Sequence, residues 1–232
     1  MAKAGINVTF IARGPHLEAI QKTGIKIESA DLGSITIHPA HATNNPANVG
    51  PVDYIIIGVK LWDTEDAGHA IVPMLGPNTK VLSLQNGVDG DDILAPIVGR
   101  ERMISGVAFI ASSILKPGTV KHIGTMQRII MGEREGPSSK CVEKLFAAMI
   151  AGGIDAEISD DIERTIWEKF VFLVGMSSTT TLMNSEIGPI RSDTEGREFL
   201  HNVFRELTAV GRARGVNLPE NFGTTRLNFA DG

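Results

Sequence analysis

Up to residue 158, short apolar runs bounded by turn residues alternate with stretches of helical periodicity; after residue 159 the strand-like runs stop. That alternation narrows the choice of folds more than any single motif. Strands that alternate with helices form a largely parallel, open sheet with helices on both faces, a doubly wound α/β arrangement. Strands are expected at Val8–Ala12, Asp53–Val59, Lys80–Gln85, Met103–Ile110 and Ile154–Ile158, and a hairpin joins Ile25–Glu28 to Ser34–His38. The run Asp53–Val59 is nearly all apolar, the pattern of a parallel strand covered on both faces. Helices are expected at 15–22, closed by Gly24, and at 63–75, 91–98 and 138–151. The change of character near residue 159 marks a boundary between an α/β domain, 1–158, and an all-helical one, 159–232. Met1–Gly5 reads as the last turn of a helix with its C-terminal glycine, and 222–232 ends mid-pattern.

The helical part opens on Asp160, with Glu163 three residues on, the spacing of a capping box. From there Ile162, Ile166, Phe170, Leu173 and Val174 recur at helical spacing and define a buried face, and the helix is expected to run to Gly188-Pro189. Lys169 lies within that face: of its neighbours Ile162, Thr165, Ile166, Phe172, Leu173 and Met176, all but Thr165 are apolar. Burying an ammonium without a partner costs several kcal/mol, roughly, or displaces its proton. Either the stem packs while the ammonium reaches water, or the ammonium points into a cleft to bind or protonate a substrate oxygen. A second amphipathic helix over 194–214 is expected to turn Phe199, Val203, Leu207 and Val210 inward.

Composition removes several classes of function. The formal net charge is -5, and no Lys/Arg block offers a basic face for nucleic acid. The longest wholly apolar runs are far too short to span a bilayer, and no signal peptide opens the chain. The single cysteine, Cys141, excludes an internal disulfide framework and points to a reducing, cytoplasmic location. The six histidines show no zinc spacing, so no metal is expected. No G-x-S-x-G elbow accompanies Ser177-Ser178-Thr179-Thr180-Thr181, and Trp62 and Trp167 read as packing residues rather than base-stacking ones.

In doubly wound sheets, ligands bind outside the carboxyl ends of the strands. Arg13 follows the Val8–Ala12 run, Lys60 follows Val59, and Asn86-Gly87 follows Gln85. Three such residues in a chain short of basic clusters favour an anionic ligand. An arginine at the end of the second strand of a nucleotide-binding sheet accommodates a 2′-phosphate, where an acid would take a free 2′-hydroxyl. If Val8–Ala12 is that second strand, the cofactor is NADP(H). The glycine fingerprint belongs on the preceding turn, and the sequence has no G-x-G anywhere.

Together Val8-Thr-Phe-Ile-Ala-Arg-Gly14, Val59-Lys60 with Trp62, Gln85-Asn-Gly87, Pro117-Gly-Thr-Val-Lys-His-Ile-Gly124 and Trp167-Glu-Lys-Phe170 resemble the ketopantoate reductase (2-dehydropantoate 2-reductase) family, in order and over essentially the whole chain. The resemblance implies a Rossmann-type sheet, here without its first strand and glycine-rich loop, followed by a helical domain lacking its last helices. It implies NADPH-dependent reduction of a small 2-oxo acid, a step of pantothenate biosynthesis, by an NADP-dependent oxidoreductase acting on CH-OH. Lys169 matches the family's catalytic lysine and a substrate-binding position. Asn86 matches a position that contacts nicotinamide and substrate, and Arg13 and Lys60 match cofactor-binding positions.

Two departures follow from the resemblance. Without the glycine-rich loop the chain as it stands is expected to be impaired. Family members that reduce 2-dehydropantoate tend to carry asparagines four and eight residues after the lysine; here those positions are Leu173 and Ser177, which points to a different acid. The rival readings are a reductase of the 3-hydroxyacid or glycerol-phosphate dehydrogenase type, and a non-catalytic dinucleotide-binding protein or inactive fragment. Oligomeric state is left open, a homodimer included.

Overall fold

A computed structural model describes residues 1–230. The chain divides into two compact units, Met1–Ile162 and Glu163–Gly232.

In the first unit the strands are β1 (Thr9–Ile11), β2 (Ile25–Ser29), β3 (Ile35–Ile37), β4 (His41–Thr43), β5 (Val52–Ile57), β6 (Leu75–Ser83), β7 (Met103–Lys116), β8 (Thr119–Gly132) and β9 (Asp155–Ile158). The helices are α1 (Gly14–Thr23), α2 (Thr64–Ala70), α3 (Gly90–Val98) and α4 (Lys140–Ala151). Seven strands form one sheet, in the order β3-β2-β8-β7-β6-β5, with β9 pairing β8 as well. β5, β6 and β7 run parallel. β7 and β8 are antiparallel, because Pro117-Gly118 returns the chain at once, with Gly118 at φ 74. A parallel neighbour would have needed a crossover connection. The first part of β8 then carries β2 and the last part carries β9, both parallel. The sheet is therefore mixed, of Rossmann-like character. β1 pairs only with β4, in a separate parallel ribbon.

At β6 the sheet is covered on both faces. Val81 points to one side, where Ile55, Ile57, Ile71, Met74, Leu94 and Val98 gather under α2 and α3. Its neighbour Leu82 points to the other, with Ile104 and Met131 against Val142, Leu145 and Met149 of α4. Successive strand residues face opposite ways, so a strand buried on both sides must read as a continuous apolar run. β5 departs from that expectation. Ile55 and Ile57 are buried, but Ile56 between them is exposed.

The described residues of the second unit form helices joined by turns, with no strand: α5 (Ile162–Met183), α6 (Ile187–Ser192), α7 (Thr194–Ala213) and α8 (Phe222–Ala230). Four details differ from the sequence reading. α5 begins at Ile162, so Asp161, not Asp160, flanks its first residue, and Glu163 instead accepts a hydrogen bond from Trp167 Nε1 at 3.1 Å. α5 ends at Met183, because Asn184 takes a left-handed conformation (φ 46) and breaks the helix before Gly188-Pro189. Those two residues lie in the first turn of α6, where proline's missing N–H costs nothing. Of 222–232, the first nine residues form α8 and the last two lie outside the described residues.

The fourth difference is the buried face of α7. Gly196, Leu200, Phe204, Thr208 and Gly211 are buried, whereas Phe199 and Val210 are exposed. The inward stripe is rotated by about one residue, some 100°, from the apolar one. Small residues explain the rotation. A Cβ on Gly211 would lie 2.8 Å from the Trp167 ring, and a Cβ on Gly175 of α5 would lie 2.3 Å from the Phe204 ring. Glycines thus let α5 and α7 approach through aromatic side chains, and Phe172 stacks on Phe204 at 6.3 Å.

Gly175→Ala tests this packing through its sign. In an exposed helix the change would stabilise by about 1 kcal/mol. Here it should destabilise by about 1–3 kcal/mol through overpacking, as read from urea unfolding. A gain in stability would show that Phe204 does not lie on Gly175.

Candidate active-site residues

On the first unit, the residues expected to bind an anionic ligand sit in three loops at strand carboxyl ends. Arg13 leaves β1 and precedes α1; its side chain is 88% exposed, and its guanidinium lies 3.8 Å from Asp63 Oδ1. Lys60 leaves β5, is exposed, and begins the short 3-10 turn Leu61–Asp63. Asn86 is exposed in the loop from β6 to α3, followed by Gly87 at φ 103.

Side chains tie the loops together. The Arg13–Asp63 pair joins the loop after β1 to the loop after β5. Gln85 joins the loop after β6 to that same β5 loop, its Nε2 donating to the Val59 carbonyl at 3.1 Å and to Thr64 Oγ1 at 2.6 Å. Behind Asn86, a buried cluster anchors the start of α3. Asp91 accepts a hydrogen bond from the Ser105 hydroxyl and faces the Arg134 guanidinium at 3.3 Å. Burial raises the Asp91 pKa, and the Ser105 and Arg134 contacts oppose that rise.

The structure thus brings Arg13, Lys60 and Asn86 to one edge of the first unit. It also adds Gln85 and Thr64, which the sequence reading did not single out. Gln85 stands beside Asn86 in sequence, but nothing local signals that its side chain reaches the turn after β5. Trp62 corrects an expectation. It is 81% exposed in the Leu61–Asp63 turn and is not a packing residue there. Trp167 does pack: it is buried, meets Phe170 edge-on at 5.3 Å, and lies under the Arg214 guanidinium. Among the described residues no group of three or more His, Cys, Asp or Glu could hold a metal ion, and no helix is long and apolar enough to cross a membrane.

On the second unit, α5 is buried along one stripe for most of its length and on another side only near its start. The stripe Trp167, Val171, Gly175 and Thr179 is buried, and its Trp167 and Gly175 meet α7. Lys169 is two residues past Trp167, about 200° around the helix, and so faces away from α7. The apolar face read from sequence is therefore real at Ile162 and Ile166, which are buried, but Leu173 is 38% exposed. Lys169 is half-buried, and burial lowers its pKa below the ordinary lysine value. One and two turns beyond it, Leu173 and Ser177 continue the same side of the helix, both exposed. Glu168, the preceding residue, is engaged with Arg164 at 2.8 Å.

Comparison with known proteins identifies the family and the fold. The family described as "Ketopantoate reductase PanE/ApbA" matches residues 1–136, and its C-terminal counterpart matches residues 161–231. A 2-dehydropantoate 2-reductase of Mesorhizobium japonicum is 28% identical over 233 residues, covering 92% of this chain and 71% of the relative. The crystal structure of 2-dehydropantoate 2-reductase from Geobacter metallireducens superposes with a TM-score of 0.90 at 30% identity, over 99% of this chain and 76% of that one. D-mandelate dehydrogenase, solved with NADH and anilino(oxo)acetate, shares the fold, with a TM-score of 0.85 at 19% identity over 99% of this chain and 72% of that one.

A lysine held at a lowered pKa is a cost to the fold. The sign follows from linkage: its folded pKa is depressed, so the penalty is fully present below that pKa and fades as the pH rises towards the unfolded value. Lys169→Met, which keeps the stem and removes the charge, should therefore raise the melting temperature at pH 7. The gain should shrink at pH 10. A lower melting temperature at both pH values would show that the ammonium stabilises the fold.

Proposed function

The chain belongs to the ketopantoate reductase family, and from that membership we propose that it reduces a 2-oxo acid, 2-dehydropantoate or a close relative, to the 2-hydroxy acid with NADPH as reductant. The observation that carries this reading is Lys169: a half-buried lysine of lowered pKa, turned away from the helix that packs α5. Such a group donates a hydrogen bond and gives up its proton more readily than an ordinary lysine.

The first unit is the cofactor-binding part of this reading and the helical unit the catalytic part. Three exposed polar side chains on adjoining loops suit a phosphorylated dinucleotide. Arg13 presents a planar fork that matches a 2′-phosphate, Lys60 supplies a point charge for phosphate oxygens, and Asn86 offers both donor and acceptor to an amide. NADPH, when bound, supplies the hydride that the carbonyl carbon receives. Lys169 hydrogen-bonds the substrate's C2 carbonyl oxygen, stabilises the charge that grows on it, and delivers the proton that completes the hydroxyl. The amine is then reprotonated from solvent. Exposed Leu173, one turn on, favours an acid with an apolar branch over one that needs a hydrogen-bonding partner at that position.

Lys169→Ala should lower turnover by at least about a hundredfold, the lower range for a positioned acid. Lys169→Arg should fail too, because guanidinium yields its proton far less readily. Glu168→Ala, pointing about 100° away around the helix, should be milder. Near-normal turnover in Lys169→Ala would refute the assignment of the acid.

Cofactor choice rests on Arg13. NADPH should bind more tightly than NADH, and Arg13→Asp should narrow the ratio by roughly tenfold or more, the worth of a charge-assisted hydrogen bond of about 1.5 kcal/mol. Equal affinities in a fluorescence titration of the wild type would contradict the role of Arg13.

A further inference from the structure

Gln85 and Thr64 form a side-chain relay whose placement is explained by neither strand pairing nor core packing. β6 ends at Ser83, and Gln85 lies two residues beyond it in the loop that carries Asn86. An amide nitrogen has two hydrogens, and Gln85 has an acceptor for each in the β5 loop, the Val59 carbonyl and Thr64 Oγ1. Thr64 is 1% exposed and passes its own proton to the Leu61 carbonyl at 2.6 Å. Val59 and Leu61 are the residues on either side of Lys60. The relay therefore grips the backbone immediately before and immediately after Lys60, and its other end is the residue next to Asn86.

The rest of the loop accommodates this clasp. Ser83 Oγ lies 3.3 Å from Gln85 Oε1, which fixes the amide's remaining end. Gly90 leaves room for both groups: a Cβ there would come within 3.1 Å of Gln85 Oε1 and 3.2 Å of Ser83 Oγ.

We propose that Gln85, acting through Thr64, is a positioning residue that sets the spacing of Lys60 and Asn86, and with it the register of a dinucleotide bound across the two loops. This rests on the cofactor reading above. The physical logic is preorganisation: two binding groups on separate loops contribute fully only when the loops are held at the right distance before the ligand arrives. Hydrogen bonds in series polarise one another, so the two links act together.

The test uses near-isosteric changes that leave Lys60 and Asn86 untouched. Gln85→Met and Thr64→Val should each weaken NADPH binding about tenfold, followed by the fluorescence of exposed Trp62 in a Trp167→Phe background. Thr64→Ser, which keeps the hydroxyl, should stay within twofold of the parent. The double change Gln85→Met with Thr64→Val should be little worse than either alone, because both break one unit. Amide hydrogen exchange of 58–64 and 84–88 in the ligand-free chain should quicken about tenfold in Gln85→Met and Thr64→Val, and not in Thr64→Ser. Unchanged exchange and affinity in Gln85→Met would overturn the proposal, as would a Thr64→Ser variant as weak as Thr64→Val. If neither this chain nor a protein extended to its relatives' length binds NADPH, the cofactor reading fails instead; the exchange measurement then still decides whether the relay holds the loops.

Discussion

The burial of one stripe of α5 against α7 is the constraint from which the arrangement of the helical unit follows. One side is closed by α7 through contacts that only glycine permits, with the Phe204 ring lying over Gly175 and Trp167 lying over Gly211. A helix committed along that stripe must present the opposite stripe elsewhere, and Lys169 is on it. The long amphipathic stem of lysine tolerates this position because its methylenes can be buried while the charge stays near the edge. The lowered pKa of Lys169 is then a consequence of its burial.

Much of this was legible in the sequence because the signals are local. Gly24 closes α1 at φ 81, the hairpin of β2 and β3 forms between the two runs that predicted it, and α4 ends at Ala151 where the periodicity placed its end. The features that were not legible depend on distant partners. β4 is three residues long and exists only because β1 pairs with it. The stripe of α7 was misplaced because periodicity counts apolar residues, and here the inward positions include Gly196, Thr208 and Gly211. The exposure of Ile56 likewise depends on what covers β5, which no run of isoleucines can report.

The candidate residues divide in the same way. Arg13, Lys60 and Asn86 could be named from their places after strands, because the chemistry of a sheet's carboxyl edge is general. Gln85 and Thr64 could not, since a relay between residues 21 apart in sequence needs the loops already in place. Family membership gives the reaction type, whereas the identity of the acid turns on Leu173 and Ser177. In the proposed reading those positions flank the ammonium on α5, so they are where the site can select one acid over another without altering the chemistry.

If Lys169 is the acid in the reduction, its protonation must govern the rate. The most direct test is the pH dependence of turnover with a 2-oxo acid at saturating NADPH, in the wild type and in Lys169→Ala. Activity should fall as the pH rises through a pKa below the ordinary lysine value of 10.5, because the group must be protonated to act. That alkaline limb should be absent from the residual activity of the alanine variant. An alkaline limb of the same pKa in both proteins would contradict the account.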